Sequence, residues 1–107
     1  MKAEFFRTLG HPARIRALEL LSERDRSVGE MLAEIGIEQA NLSQHLAVLR
    51  RAGLVTSHRD GSFVQYSLTS PAVAELLAVA RRILTSVVTE AVTALDGPTS
   101  QVIGSEA

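Results

Sequence analysis

The 107-residue sequence has no cysteine, no tryptophan and only four aromatic side chains, three Phe and one Tyr. Without thiols there is no disulfide and no thiolate metal site, and cysteine usage cannot report the compartment. No stretch approaches the roughly 18 consecutive apolar residues of a membrane span, and the charged N-terminus, with Lys2, Glu4 and Arg7, lacks the hydrophobic segment of a secretory signal. The expected setting is the cytoplasm, with no membrane partner. A net charge of −1 is far from the strongly basic balance of a nonspecific nucleic-acid binder. Catalysis is not expected: there is no Cys nucleophile, no glycine-rich phosphate loop and no H-E-x-x-H, and His11, His45 and His58 are scattered among different elements.

What is present is aliphatic. Apolar residues make up 46% of the chain, mostly Ala, Leu, Val and Ile, which suits one mainly helical domain with a modest core. We place that domain at residues 1–96. From Gly97-Pro98 onward the chain is small and polar without periodicity, and residues 97–107 are expected to form a disordered tail.

The organising stretch runs from Gln39 to Gly53. Leu42, Leu46 and Leu49 recur at i, i+4 and i+7 and form one apolar helical stripe. The other side carries Ala40, Asn41, Gln44, Ala47 and Arg51, with no formal charge between Gln39 and Val48. Amide and hydroxyl groups separated by small alanines suit base edges in a DNA major groove. Ser43, Gln44 and Asn41 are the leading candidates for base readout, followed by Ala40 and Ala47 through apolar contact, then Gln39 and His45. His45 lies only about one position round from the leucine stripe, so a packed histidine is an equal reading. Arg50 and Arg51 sit where they favour the C-terminal end of the helix dipole in any protein, and phosphate contact is a coequal reading.

Ser27 to Ile35 reads as a shorter helix, and Gly36-Ile37-Glu38 as the turn between the two: a helix-turn-helix. Ser27-Val28-Gly29-Glu30 fits a capping box, and Gly36 fits a left-handed helix end. Glu38 falls at the N-cap of the second helix, where Ser or Thr is stronger; a solvent-facing cap away from DNA is the preferred reading. After that helix, Asp60-Gly61 between two strand-like segments signals a hairpin, which makes a wing. Arg59 at its tip, with Gly61 and Ser62, is the expected wing contact to backbone or minor groove; an incidental exposed arginine is the competing reading.

The run Asn41-Leu42-Ser43-Gln44-His45-Leu46, then Leu49-Arg50-Arg51-Ala52-Gly53-Leu54-Val55, Arg59-Asp60-Gly61 and Tyr66-Ser67-Leu68 resembles the signature of the ArsR/SmtB family of bacterial winged-helix repressors. Leu9 to Arg16 is similar to that family's approach to its second helix. The resemblance covers roughly residues 3 to 95. It implies a mainly α fold with a small β-hairpin, a winged helix-turn-helix dimerising through its terminal helices, and double-stranded DNA as partner. Metal-sensing members carry paired cysteines near residues 27–31 and His and acidic ligands on the last helix. Here the first region is Ser-Val-Gly-Glu-Met and the last helix has no His, so those sites do not carry over. No cofactor is required, although a nonstandard zinc or nickel site using His11, His58 or carboxylates stays open.

The remaining segments frame this core. Lys2 to Leu9 reads as a short helix with Phe5, Phe6 and Leu9 on one side, packing either on its own core or, as the resemblance implies, across a dimer. Pro12 suits the first turn of the next helix, whose buried stripe is Ile15, Leu18 and Leu21, with Arg14, Arg16 and Glu19 outside. His11 is expected to act as a cap. Glu23-Arg24-Asp25-Arg26 reads as a solvated loop. Ser70-Pro71 starts the last helix, on which Leu76, Ile83, Leu84, Val87, Val88, Ala91 and Leu95 belong to a stripe about 25 residues long, or roughly 37 Å. That is more apolar surface than a small winged helix can cover. The surplus is expected to bury against a second copy, an intrachain clamp being the alternative.

These readings converge on a homodimeric, sequence-specific transcription regulator, a repressor on an inverted repeat. A regulatory partner protein or no effector at all ranks above a metal. The different-class alternative is a winged-helix protein-interaction module without DNA binding, kept open by the near-neutral charge.

Overall fold

A computed structural model describes residues 2–96, apart from the side chains of Val88 and of residues 92–96. The expected tail at 97–107 lies outside the described residues. The elements run α1 (Lys2–Thr8), α2 (Pro12–Glu23), β1 (Arg26–Ser27), α3 (Val28–Ile35), α4 (Gln39–Arg51), β2 (Val55–Asp60), β3 (Phe63–Leu68) and α5 (Pro71–Asp96). Two compact units result, residues 1–75 and the continuation of α5 from Leu76.

The core of the first unit is aliphatic. Leu18, Leu42, Leu46 and Leu49 are fully buried, as are Ala17 and Met31, with Leu20, Leu21, Leu54, Val55 and Val73 nearly so. Each such leucine contributes about 1.5–3 kcal/mol, so the stripe of α4 ties that helix to α2 and α3 strongly enough to hold its other face at a set angle. Ile15 is only half-buried, and Ala17 and Leu20 join the buried face of α2.

Local signals decide most boundaries. Pro12 stands in the first turn of α2. At α3, the Ser27 hydroxyl accepts from the Glu30 N–H at 3.2 Å while the Glu30 carboxylate accepts from the Ser27 N–H at 2.9 Å, and Gly36 ends the helix at φ +77°. The Ser70 hydroxyl accepts from the Ala72 N–H at 3.1 Å at the start of α5. His11 does occupy the N-cap of α2, but its side chain makes no capping hydrogen bond; the expected capping role is corrected, because the imidazole turns toward His45 instead.

Three further expectations change. The sheet has three strands in the order β1-β3-β2, all antiparallel, rather than a lone hairpin. Arg26 pairs with Tyr66 and Ser27 with Gln65, so the end of the charge run is not a solvated loop. Arg26 itself is 8% exposed; its guanidinium donates to the Leu20 carbonyl at 3.3 Å and to the Glu23 carboxylate, which satisfies a charge that burial alone would penalise. In the hairpin, Asp60 pairs with Phe63, so the two-residue turn is Gly61-Ser62, one position later than Asp60-Gly61, with Gly61 at φ +65°.

Candidate DNA interface

Helix α4 presents the polar face foreseen for it. Gln39, Ala40, Asn41, Ser43 and Gln44 are exposed, Ala47 is half-buried, and Arg50 and Arg51 are exposed at the C-terminal turn. Glu38 is the N-cap, exposed and without a side-chain cap bond. The exit from α4 is built by Gly53, at φ +81°. Its N–H reaches the Arg50 carbonyl, and the Leu54 N–H reaches the Leu49 carbonyl, both at 3.0 Å. That pair is a Schellman closure, which needs a left-handed residue after the cap. Leu54 and Val55 then drop into the core, so the wing leaves the reading helix at a defined angle.

The wing carries Arg59, Gly61 and Ser62, all exposed. Arg50 Nη1 lies 3.5 Å from the Ser57 hydroxyl, a link from the end of α4 to β2. In the ladder, Ser57 pairs with Tyr66 and Arg59 with Val64; since side chains alternate faces along a strand, Ser57 and Arg59 share one face of β2. Arg59 is therefore on the side of the sheet that Arg50 reaches. Phe63 at the tip is 65% exposed.

His45 is half-buried. Its Nδ1 accepts a hydrogen bond from Arg14 Nε at 3.1 Å, and its ring lies 5.7 Å from that of His11, centroid to centroid. Burial first, then the Arg14 charge, then His11, push its pKa below the ordinary 6.5, so the neutral ring is favoured. Arg14, expected outside, is half-buried, and its Nη1 also donates to the Thr8 carbonyl at 3.2 Å. Sequence reasoning missed Arg14 as the partner of His45; the only signal was His45's nearness to the leucine stripe, which demands something to pack on. Among the described residues no three His, Asp or Glu come together in a geometry that could hold a metal.

Of the residues assigned to a dimer contact, Phe5 is half-buried and packs edge-to-face on Phe6 at 5.3 Å. Phe6 is exposed, and Leu9 and Leu76 are half-buried. Ile83, Leu84, Val87 and Ala91 are exposed on α5; Val88 and Leu95 lie outside the described side chains. Among the described residues no helix is long and apolar enough to cross a membrane.

Comparison with known proteins bears on this arrangement. The sequence profile described as bacterial regulatory protein, arsR family, matches residues 11–57, which spans α2 to the start of the wing. The chain is 60% identical over 97 residues to the HTH-type transcriptional regulator Rv0081 of Mycobacterium tuberculosis, covering 90% of this chain and 85% of that one. It is 38% identical over 79 residues to a probable mercury resistance operon repressor of Streptomyces lividans, covering 74% and 63%. The crystal structure of Rv0081 superposes with a TM-score of 0.82 over 86% of this chain and 93% of that one. The transcriptional repressor BigR of Xylella fastidiosa does so at 0.70, with 40% identity over 76% and 83%. The homodimeric winged helix-turn-helix domain of Mb0332 from Mycobacterium bovis reaches 0.75 at 25% identity over 82% of each chain. A polar reading helix, a wing and these relatives make the chain a member of the ArsR family: a winged helix-turn-helix, DNA-binding transcriptional regulator, not an enzyme.

Proposed function

We propose that this regulator is a cytoplasmic repressor that acts as a homodimer on an inverted-repeat operator, with α4 of each copy entering one major groove about one helical turn from its partner. The observation that carries it is the exposed, uncharged face of α4, where Asn41, Ser43 and Gln44 stand clear of the core that fixes the helix. Arg50, Arg51 and Arg59 supply phosphate contacts that position this face. The relatives named as repressors and the homodimeric neighbour support the sign of regulation and the pairing. The exposed Ile83, Leu84 and Val87 provide the apolar surface for it. No cofactor is needed for this activity. Control by a partner protein ranks above control by a metal, because the chain has no thiol and its last helix no histidine.

The test is a binding titration on duplex from upstream of the protein's own coding region and on random duplex. Gln44→Ala should lose on the order of 1 to 3 kcal/mol on the specific site with less change on random DNA. Equal loss on both duplexes would rule out base readout by this helix.

A further inference from the structure

Helix α4 is joined to α2 by a polar contact whose chemistry runs in a single direction. Arg14 Nε donates to His45 Nδ1 at 3.1 Å. A guanidinium has donors and no acceptor, and stays charged throughout the accessible pH range. Nδ1 must therefore offer a lone pair. A neutral imidazole with a bare Nδ1 carries its hydrogen on Nε2, which can then only donate. Phosphate oxygens and the guanine N7 and O6 are acceptors only.

We propose that Arg14 is a positioning residue for DNA recognition: it locks His45 of α4 in the Nε2–H tautomer, so that this position offers DNA a donor and cannot be protonated without losing its anchor. The inference rests on α4 being the helix that enters the groove. Arg14 is itself held by the Thr8 carbonyl at 3.2 Å, so its fork spans from the end of α1 to α4. The charges acting on the His45 ring are those of Arg14 and His11, both from the start of α2, and no carboxylate is among them. The acids of α3 that face charged partners, Glu30 and Glu34, are engaged by Arg24 and Arg16. Protonating His45 would place an N–H against the N–H of Arg14 and a second positive charge beside the guanidinium. Burial and these neighbours depress the histidine's pKa. An ordinary exposed histidine beside phosphates behaves oppositely, gaining charge and DNA affinity as pH falls.

The experiment has a spectroscopic and a binding arm, both on the full chain. Long-range ¹H–¹⁵N spectra of the free protein should show His45 as a single Nε2–H tautomer that titrates below 6.5. In Arg14→Met both tautomers should appear and the midpoint should rise. In binding to its upstream duplex, Arg14→Met should lose on the order of tenfold at neutral pH. Its residual affinity should strengthen on acidification more than the wild type's, while Arg14→Lys recovers part of the loss. His45→Gln keeps a distal N–H donor without the ring nitrogen, so in that background Arg14→Met should cost little more. Because Arg14 also caps α1, circular dichroism of each variant establishes folding, and the His45→Gln cycle with Arg14→Lys decides the matter if Arg14→Met does not fold. Unchanged tautomer and titration in the Arg14 variants, or additive losses in the cycle, overturn the proposal. If Gln44→Ala loses specific binding while the Arg14 variants bind as wild type, only this positioning role fails; if both are silent, the reading helix itself has been misassigned.

Discussion

Arg14 and Arg26 are drawn inward because each finds acceptors there, and the two differ in what their loss would do. Arg26 serves the fold: buried beside the Leu20 carbonyl and Glu23, it anchors β1 while its aliphatic stem fills space. Arg26→Ala should destabilise the protein by about 1–3 kcal/mol in urea unfolding, with Arg26→Met, which keeps the stem, falling between. Acid sensitivity also belongs to single residues. The Ser27 backbone N–H, then Arg24, hold the Glu30 carboxyl below its ordinary 4.5. That contribution is fully present above 4.5 and is lost as pH falls through the lower folded value. His45, depressed below 6.5, works in the same direction one step earlier: the unfolded chain takes up the proton first, so stability declines as pH drops below 6.5. Thermal melts across this range should show that first decline, and His45→Gln should remove it. A melting temperature indifferent to pH between about 7 and 5 would contradict the His45 geometry.

At the scale of elements, α4 and its two ends explain how the polar face is held outward. Leu42, Leu46 and Leu49 are fully buried, so Leu46→Ala should cost about 2–5 kcal/mol and loosen the helix that carries Gln44. Gly53→Ala meets no atom within 4 Å but inherits φ +81°. Its cost is therefore backbone strain of about 1–2 kcal/mol, visible in chemical denaturation, with the wing's angle disturbed. These elements were legible where the rule is local. The capping box at Ser27, the glycine stop at Gly36, Pro12 and Ser70-Pro71 each act within one turn of chain and stand where expected. Strand β1 was not legible, because two residues have no alternation to display and pair only with Tyr66 and Gln65, some 40 positions on. The turn slipped by one for a related reason: the ladder keeps Asp60 paired with Phe63, and register is a property of both strands together. Within the site, the exposed amides of α4 follow from helical period. The Arg14 to His45 bond spans 31 residues and becomes visible only when α2 packs on α4.

On the scale of the molecule, α5 is about 39 Å long at 1.5 Å per residue, and its described part leaves Val79, Ile83, Leu84 and Val87 between 40% and 64% exposed. An apolar stripe of that kind on one chain calls for cover. If the proposed pairing runs through this stripe, Ile83→Glu combined with Leu84→Glu should leave only monomer in sedimentation, where the unaltered chain sediments as a dimer, with the helical spectrum of the first unit in place. A monomer reads one half-site, so affinity for an inverted repeat should drop far more than affinity for random DNA. The most direct test of paired reading heads is methylation interference at guanine N7 on the upstream duplex. The account predicts two clusters of interfering guanines on one side of the duplex, about one helical turn apart. A single cluster, or binding indifferent to major-groove methylation, would contradict it.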